Sequence, residues 1–172
     1  MSDEEFTLVV LVTLRNFQSY LLVNIEQLLD LGYRVCLIAD AKFRTLVPEH
    51  ERVEFVEAES ISCDFDTTSR LNRKFRNGFW HLCSKRLFVL QRYLETTGRS
   101  NVLHIENDVM LYALPRHLDY DRTKLGLIMT NDRRCIPSLM VIPNHKTLAV
   151  ALETFLPDKN DMFNLGRFYA MN

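Results

Sequence analysis

The chain has 172 residues, of which 47% are hydrophobic and 25% charged, a balance that fits one folded domain and is that of a globular rather than a disordered chain. A formal net charge of −1 gives no electrostatic reason to expect nucleic acid or an anionic membrane as partner. No apolar run reaches the ~18 residues of a membrane span, and the acidic start Met1-Ser2-Asp3-Glu4-Glu5 is unlike a secretory leader.

Residues 6–13 form a continuous β-rich run, the mark of a strand covered on both faces. After the polar break Leu14-Arg15-Asn16, Phe17, Leu21, Ile25, Leu28 and Leu29 recur at helical spacing, with Gly32 as the stop. Residues 34–39 predict a second strand ending at Asp40, residues 41–46 a short helix, and residues 53–56 a third, weaker strand. This alternation predicts a parallel sheet with right-handed crossovers. Residues 60–78 are polar and carry Arg70, Arg73, Lys74 and Arg76, read as a solvated loop or helix face. From Phe79 the period turns helical, with Cys83, Leu87, Leu90 and Leu94 on one stripe and Gly98 at the end.

That helix delivers the chain to residues 101–112. Val102, Leu103 and Ile105 read as a buried strand, which breaks off at Glu106-Asn107-Asp108. Two carboxylates two residues apart at the end of a buried strand are costly to bury without positive charge nearby. A hard divalent cation such as Mg²⁺ or Mn²⁺ meets that need and completes its shell with water and phosphate oxygens; a solvated turn with two surface acids is the plain alternative.

Leu114-Pro115 ends this region, and residues 116–124 are polar. Residues 125–129 and 138–142 read as strands, the first ending in Thr130-Asn131-Asp132. The gap between them, 131–137, is too short for a helical crossover, so they are expected to be antiparallel neighbours or separated in a mixed sheet. Thr147, Val150, Ala151 and Phe155 mark the face of another helix. Residues 158–161 read as a polar loop and 162–171 as the start of a last helix. The whole of 1–172 reads as a single domain, and its end at Asn172 without a terminating signal as a domain cut short at the C-terminus.

Crossover helices start near the carboxyl ends of parallel strands. Asn77, Trp80, Ser84 and Lys85 should therefore share one edge of the sheet with Thr13, Arg15, Asp40 and the Glu106-Asn107-Asp108 triplet. Ligands of open α/β sheets bind at that edge. Acids for a metal and bases for phosphate would face one crevice. Cys36, Cys63, Cys83 and Cys135 form no Cys-x-x-Cys pair, and Cys36 and Cys83 lie in apolar patterns as buried free thiols do, which predicts a reducing, cytoplasmic location. His50, His81, His104, His117 and His145 show no ligand spacing, which argues against structural zinc. His104, on the apolar strand, reads as a hydrogen-bonded core residue.

The segment Leu-His-Ile-Glu-Asn-Asp-Val-Met-Leu-Tyr resembles the Asp-x-Asp segment of nucleotide-sugar glycosyltransferases with the GT-A fold. The helix carrying Phe79, Trp80, Ser84, Lys85, Arg86, Leu87 and Phe88 is similar to the one leading into that segment in some bacterial and viral members. The β-α-β start with Asp40 after the second strand fits as well. Glu106 departs from the pattern, which has aspartate there, and the late histidine that completes the metal shell in some members has no counterpart.

The resemblance implies an α/β, GT-A-like, Rossmann-like fold with a mixed, mostly parallel sheet flanked by helices. It implies a metal-dependent transferase that moves a sugar from a nucleoside-diphosphate sugar to a glycan or other hydroxyl acceptor. Asp108 would ligate Mn²⁺ or Mg²⁺ and Glu106 would hold the ribose or the metal through water, with Asn107 among the donor contacts. Thr13, Arg15 and Asp40 would cradle base and ribose, while Lys85, or Arg86 on a shifted helix phase, would meet the diphosphate. An inverting enzyme would need a general base. Asp161 is the first choice and Asp132 the second, the plain reading of Asp161 being a helix N-cap.

Two other classes compete. A phosphatase of the haloacid dehalogenase type also has an acid-x-acid triplet, but its first acid is an aspartate near the first strand, unlike Glu106 on the fourth. A non-catalytic nucleotide- or nucleotide-sugar-binding module is the stronger rival, and metal-dependent binding without hydrolysis or transfer would identify it.

Overall fold

The computed structural model describes residues 8–112 and 121–171. The expected strand residues 6 and 7, the Leu114-Pro115 break, His117 and the polar stretch 116–120 lie outside the described residues.

Apolar β-branched runs make the central strands, because covered on both faces they need no polar alternation. β1 (Leu8–Thr13) sends Val9 and Leu11 to one face, and Val10 and Val12 to the other. β2 (Arg34–Ala39), β3 (Val53–Glu57) and β4 (Val102–Ile105) complete the parallel part. β5 (Gly126–Asn131) and β6 (Arg134–Ile142) form an antiparallel hairpin, and β6 runs antiparallel to β4. The order is β3-β2-β1-β4-β6-β5 in one mixed, mostly parallel sheet flanked by helices. The chain leaves β1 toward β2 and β3 on one side and returns through β4 on the other. The crevice beyond the ends of β1 and β4 is thus the topological switch point, where open α/β sheets take their ligands.

α1 (Tyr20–Asp30) covers one face with Leu21, Ile25 and Leu28. α3 (Phe79–Thr97), α4 (His145–Glu153) and α5 (Asp161–Met171) cover the other with Leu87, Leu90, Leu94, Leu148, Leu152 and Leu165. The short helix α2 (Phe65–Thr68) lies within the polar stretch before α3.

Three expectations are corrected. β6 begins at Arg134 rather than near 138, so the β5–β6 connection is a two-residue turn at Asp132 and Arg133. Pro137 hid this extension; it sits where the β5–β6 register shifts, a place that tolerates a residue without an N–H. The buried face of α4 is Leu148, Ala151 and Leu152, while Val150 points outward. Cys83 is half-buried, unlike fully buried Cys36 and Cys135; all four thiols are free.

Candidate active site

β4 ends at Ile105, and a turn closed by the Val109 N–H on the Glu106 carbonyl carries the acids (3.1 Å). Three neighbours fix this turn. The Glu106 N–H donates to the Ser138 carbonyl at 2.9 Å, inside the register shift of β6. Fully buried Asn24 of α1 donates to the Asn107 carbonyl at 3.1 Å, and Asn107 donates to the Val12 carbonyl of β1 at 3.4 Å. Asp108 is exposed on this braced turn and makes no hydrogen bond or ion pair among the described residues.

Below the turn lies Arg86, buried under the sheet edge. Its Nη1 meets Glu106 Oε1 at 2.5 Å and its Nη2 meets Asp161 Oδ2 at 3.4 Å. Asp161 is 1% exposed, and its N–H donates to Ser84 Oγ at 3.0 Å. Burial pushes its carboxyl pKa up, and Arg86 only partly offsets this. Asp161 Oδ1 and Arg86 Nε have no partner among the described residues. Asp161 is the first residue of α5 rather than its cap: Asn160 Oδ1 accepts the Phe163 N–H at 3.0 Å and so caps the helix.

Two cavities adjoin at the switch point. A cavity of about 400 Å³ is bordered by Arg15, Asp40, Glu59, Cys63, Asp66 and Lys85. Its acids also tie the loops together: the Arg15 N–H donates to Asp40 at 3.1 and 3.2 Å, and the Ala41 N–H to Glu59 at 3.0 Å. Lys85 does face this cavity, but its Nζ is paired with Asp66 Oδ2 at 2.5 Å, and the same carboxylate takes His81 Nε2 at 2.8 Å. The second cavity, about 200 Å³, is lined by Thr13, Asn16, Arg76, Asn77, Arg86 and Asn107 among others. Thr13 Oγ1 donates to the Asn16 carbonyl at 3.0 Å, which shapes its floor.

The structure therefore gathers Thr13, Arg15, Asp40, Lys85, Arg86 and Asn107 around the two adjoining cavities, and Arg86 ties to them Glu106 and the buried Asp161, which themselves line neither. Asp132 stands apart, exposed in the β5–β6 turn and lining neither cavity. Sequence reasoning missed Asp66, Glu59 and Asn24. The i, i+4 spacing of His81 and Lys85 hinted at a shared partner on one helix face, but nothing in the polar stretch singled out Asp66.

A hard divalent ion needs only one or two protein carboxylates when phosphate oxygens complete its shell. Asp108 offers an unshared carboxylate and Glu106 the oxygen that Arg86 leaves. No group of three or more His, Cys, Asp or Glu able to hold a metal occurs among the described residues. The donor set fits Mn²⁺ or Mg²⁺ shared with a diphosphate, and does not fit an ion held by protein alone.

No family model and no curated protein sequence matches the chain. Solved structures do. An active-site mutant of LgtC superposes with a TM-score of 0.62 at 15% identity, over 94% of this chain and 70% of that one. The PaToxG glycosyltransferase gives 0.55 at 10% identity, over 96% and 66%. The glycosyltransferase GlyE of Streptococcus pneumoniae gives 0.54 at 11%, over 96% of this chain and only 43% of its own length. No helix among the described residues is long and apolar enough to cross a membrane. At these identities the likeness concerns architecture: this chain has the fold of glycosyltransferases.

Proposed function

We propose that the chain transfers a sugar from a nucleoside-diphosphate sugar to a hydroxyl acceptor with the help of Mn²⁺ or Mg²⁺. The observation that carries this reading is the braced turn of Glu106, Asn107 and Asp108 at the switch point, beside two adjoining polar cavities. Asp108, with the free oxygen of Glu106, would hold the ion. Once bound, the ion supplies Lewis-acid neutralisation of the departing nucleoside diphosphate.

The chain's own residues do the rest. Asp40 and Glu59 present lone pairs to ribose hydroxyls in the larger cavity while anchored by backbone N–H groups. Arg86 fixes Glu106 and Asp161 in place. Asp161 has a buried, unpartnered Oδ1, and burial makes its carboxylate more basic than usual; in an inverting transfer it would take the acceptor's hydroxyl proton once the acceptor opens a way to it.

The test is a thermal-shift screen of UDP-, GDP- and dTDP-sugars with and without Mn²⁺. A ligand that binds the folded state raises its melting temperature by mass action. One class of nucleotide sugar should stabilise the protein, and more strongly with the metal than without it. No shift with any of them would remove the reading. The rival reading, a nucleotide-sugar-binding module without catalysis, draws support from Arg86, which engages both Glu106 and Asp161. Metal-dependent stabilisation with neither hydrolysis nor transfer of the sugar would favour it.

A further inference from the structure

Cations near the crevice fall into two groups. Lys85 is neutralised by Asp66, and Arg86 by Glu106 and Asp161. Arg15 and Arg76 are exposed and form no ion pair among the described residues. Each is held by unusual backbone: Arg15 has φ 68° and Arg76 φ 47°, followed by Asn77 at 57° and Gly78 at 83°. Left-handed conformations at non-glycine residues cost roughly 1–2 kcal/mol each and persist where the surroundings enforce them. Asp40 accepts the Arg15 N–H and Lys42 donates to the Arg15 carbonyl, which pins that backbone, and the Arg76–Gly78 loop lies beside the Arg15 side chain. A Cβ placed on Gly78 would lie 3.3 Å from the Arg73 carbonyl oxygen and 3.8 Å from Arg15 Nη1, so Gly78 lets the loop before α3 close onto the Arg15 guanidinium.

This packing brings two guanidinium groups without an ion pair to the adjoining cavities: Arg15 lines the larger, and Arg76, over the Phe79 ring at 5.8 Å, lines the smaller. The smaller cavity is also lined by Arg86, whose buried Nε has no partner. Forked, permanently charged donors are suited to phosphate oxygens. We propose that Arg15 and Arg76 form the diphosphate clamp of this site, and that Lys85, locked by Asp66, is not part of it. The proposal rests on the donor-site reading above, but it concerns the diphosphate group alone.

Inorganic pyrophosphate without divalent ions is the probe, because it isolates that group. Trp80, the single tryptophan, lies in the first turn of α3 with its ring 4.9 Å from that of Phe79, and reports locally on binding through its fluorescence. Calorimetry supplies affinities. Wild type should show saturable binding with a Trp80 signal. Arg76→Gln and Arg15→Gln should each weaken it roughly 10- to 100-fold, as loss of a charged hydrogen bond does, and Lys85→Gln less than about threefold. Both arginines are exposed, so circular dichroism should be unchanged. No saturable binding, unchanged affinity in the arginine variants, or a dominant loss in Lys85→Gln would overturn the clamp. If a nucleotide sugar stabilises wild type and Arg76→Gln equally, the clamp falls and the transferase reading stands. If pyrophosphate binds through Arg76 while no nucleotide sugar stabilises the protein, the clamp stands and that reading falls.

Discussion

Arg86 shows at the scale of one residue why the candidate site is rigid. Its guanidinium is buried between two carboxylates from different elements, and removing it would leave both without their cation. Breaking a buried pair in this way costs about 3–5 kcal/mol. Arg86→Met, which keeps most of the volume, should lose stability in that range in urea unfolding; a loss below about 1 kcal/mol would show that water already screens the trio. Asp66 gives a second case, read through pH. Burial pushes its pKa up, but hydrogen bonds from Lys85 and His81 outweigh burial and hold it below the usual 3.8. A depressed carboxylate pKa contributes stability above the unfolded value, and that contribution is lost as pH falls through the folded one. Wild type should therefore be more stable than Asp66→Asn at neutral pH, and the gap should close below about pH 3.8. A gap unchanged in strong acid would deny the carboxylate this part.

Elements hold the site by close backbone approach as much as by charge. Gly166 of α5 lies against the β5–β6 turn, and an added Cβ would fall 2.2 Å from the Arg133 carbonyl oxygen and 2.8 Å from the Arg134 nitrogen. Backbone cannot swing aside, so Gly166→Ala should cost about 3 kcal/mol or more, at the upper end of overpacking penalties. Gly32→Ala is the control: φ is 89° but no atom lies within 4 Å, so only the strain of roughly 1–2 kcal/mol applies. Equal losses in thermal unfolding would contradict this ranking. The same contrast explains what the sequence revealed. β1, β2, β4 and α3 were legible because burial writes itself as runs of Val, Leu and Ile or as a 3.6-residue stripe. The acid turn was legible because the apolar run stops abruptly at Glu106. The pairing of Arg86 with Asp161, 75 positions apart, was not, nor was the engagement of Lys85 by Asp66. Such contacts depend on where helices land, and a local pattern carries no record of it. Pro137 misled for a related reason: it reads as a strand breaker, and only the register shift beside it makes it tolerable.

The whole molecule sets its apolar core apart from the tip of the acid turn. Among the described residues the buried apolar side chains form two clusters, one on each face of the sheet, reaching from α1 to α3, α4 and α5. The acid turn projects past both from the carboxyl edge of the strands, and its tip carries nothing structural. Asn24, the Ser138 carbonyl and the Val12 carbonyl brace Asn107 and the backbone of Glu106, whereas Asp108 has no partner among the described residues. Asp108→Asn removes one charge, keeps the volume, and breaks no contact. Unfolding free energy should then stay within about 0.5 kcal/mol of wild type, as for surface changes away from any special feature. Binding should behave differently. With Glu106 partly engaged by Arg86, Asp108 would be the main carboxylate for the proposed cation. The variant should lose Mn²⁺-dependent stabilisation by a nucleotide sugar while any metal-independent binding persists. Calorimetry and urea unfolding on the same Asp108→Asn protein decide it. Unchanged metal-dependent affinity would take the ion away from this turn, and a large loss of stability would mean that Asp108 belongs to the scaffold.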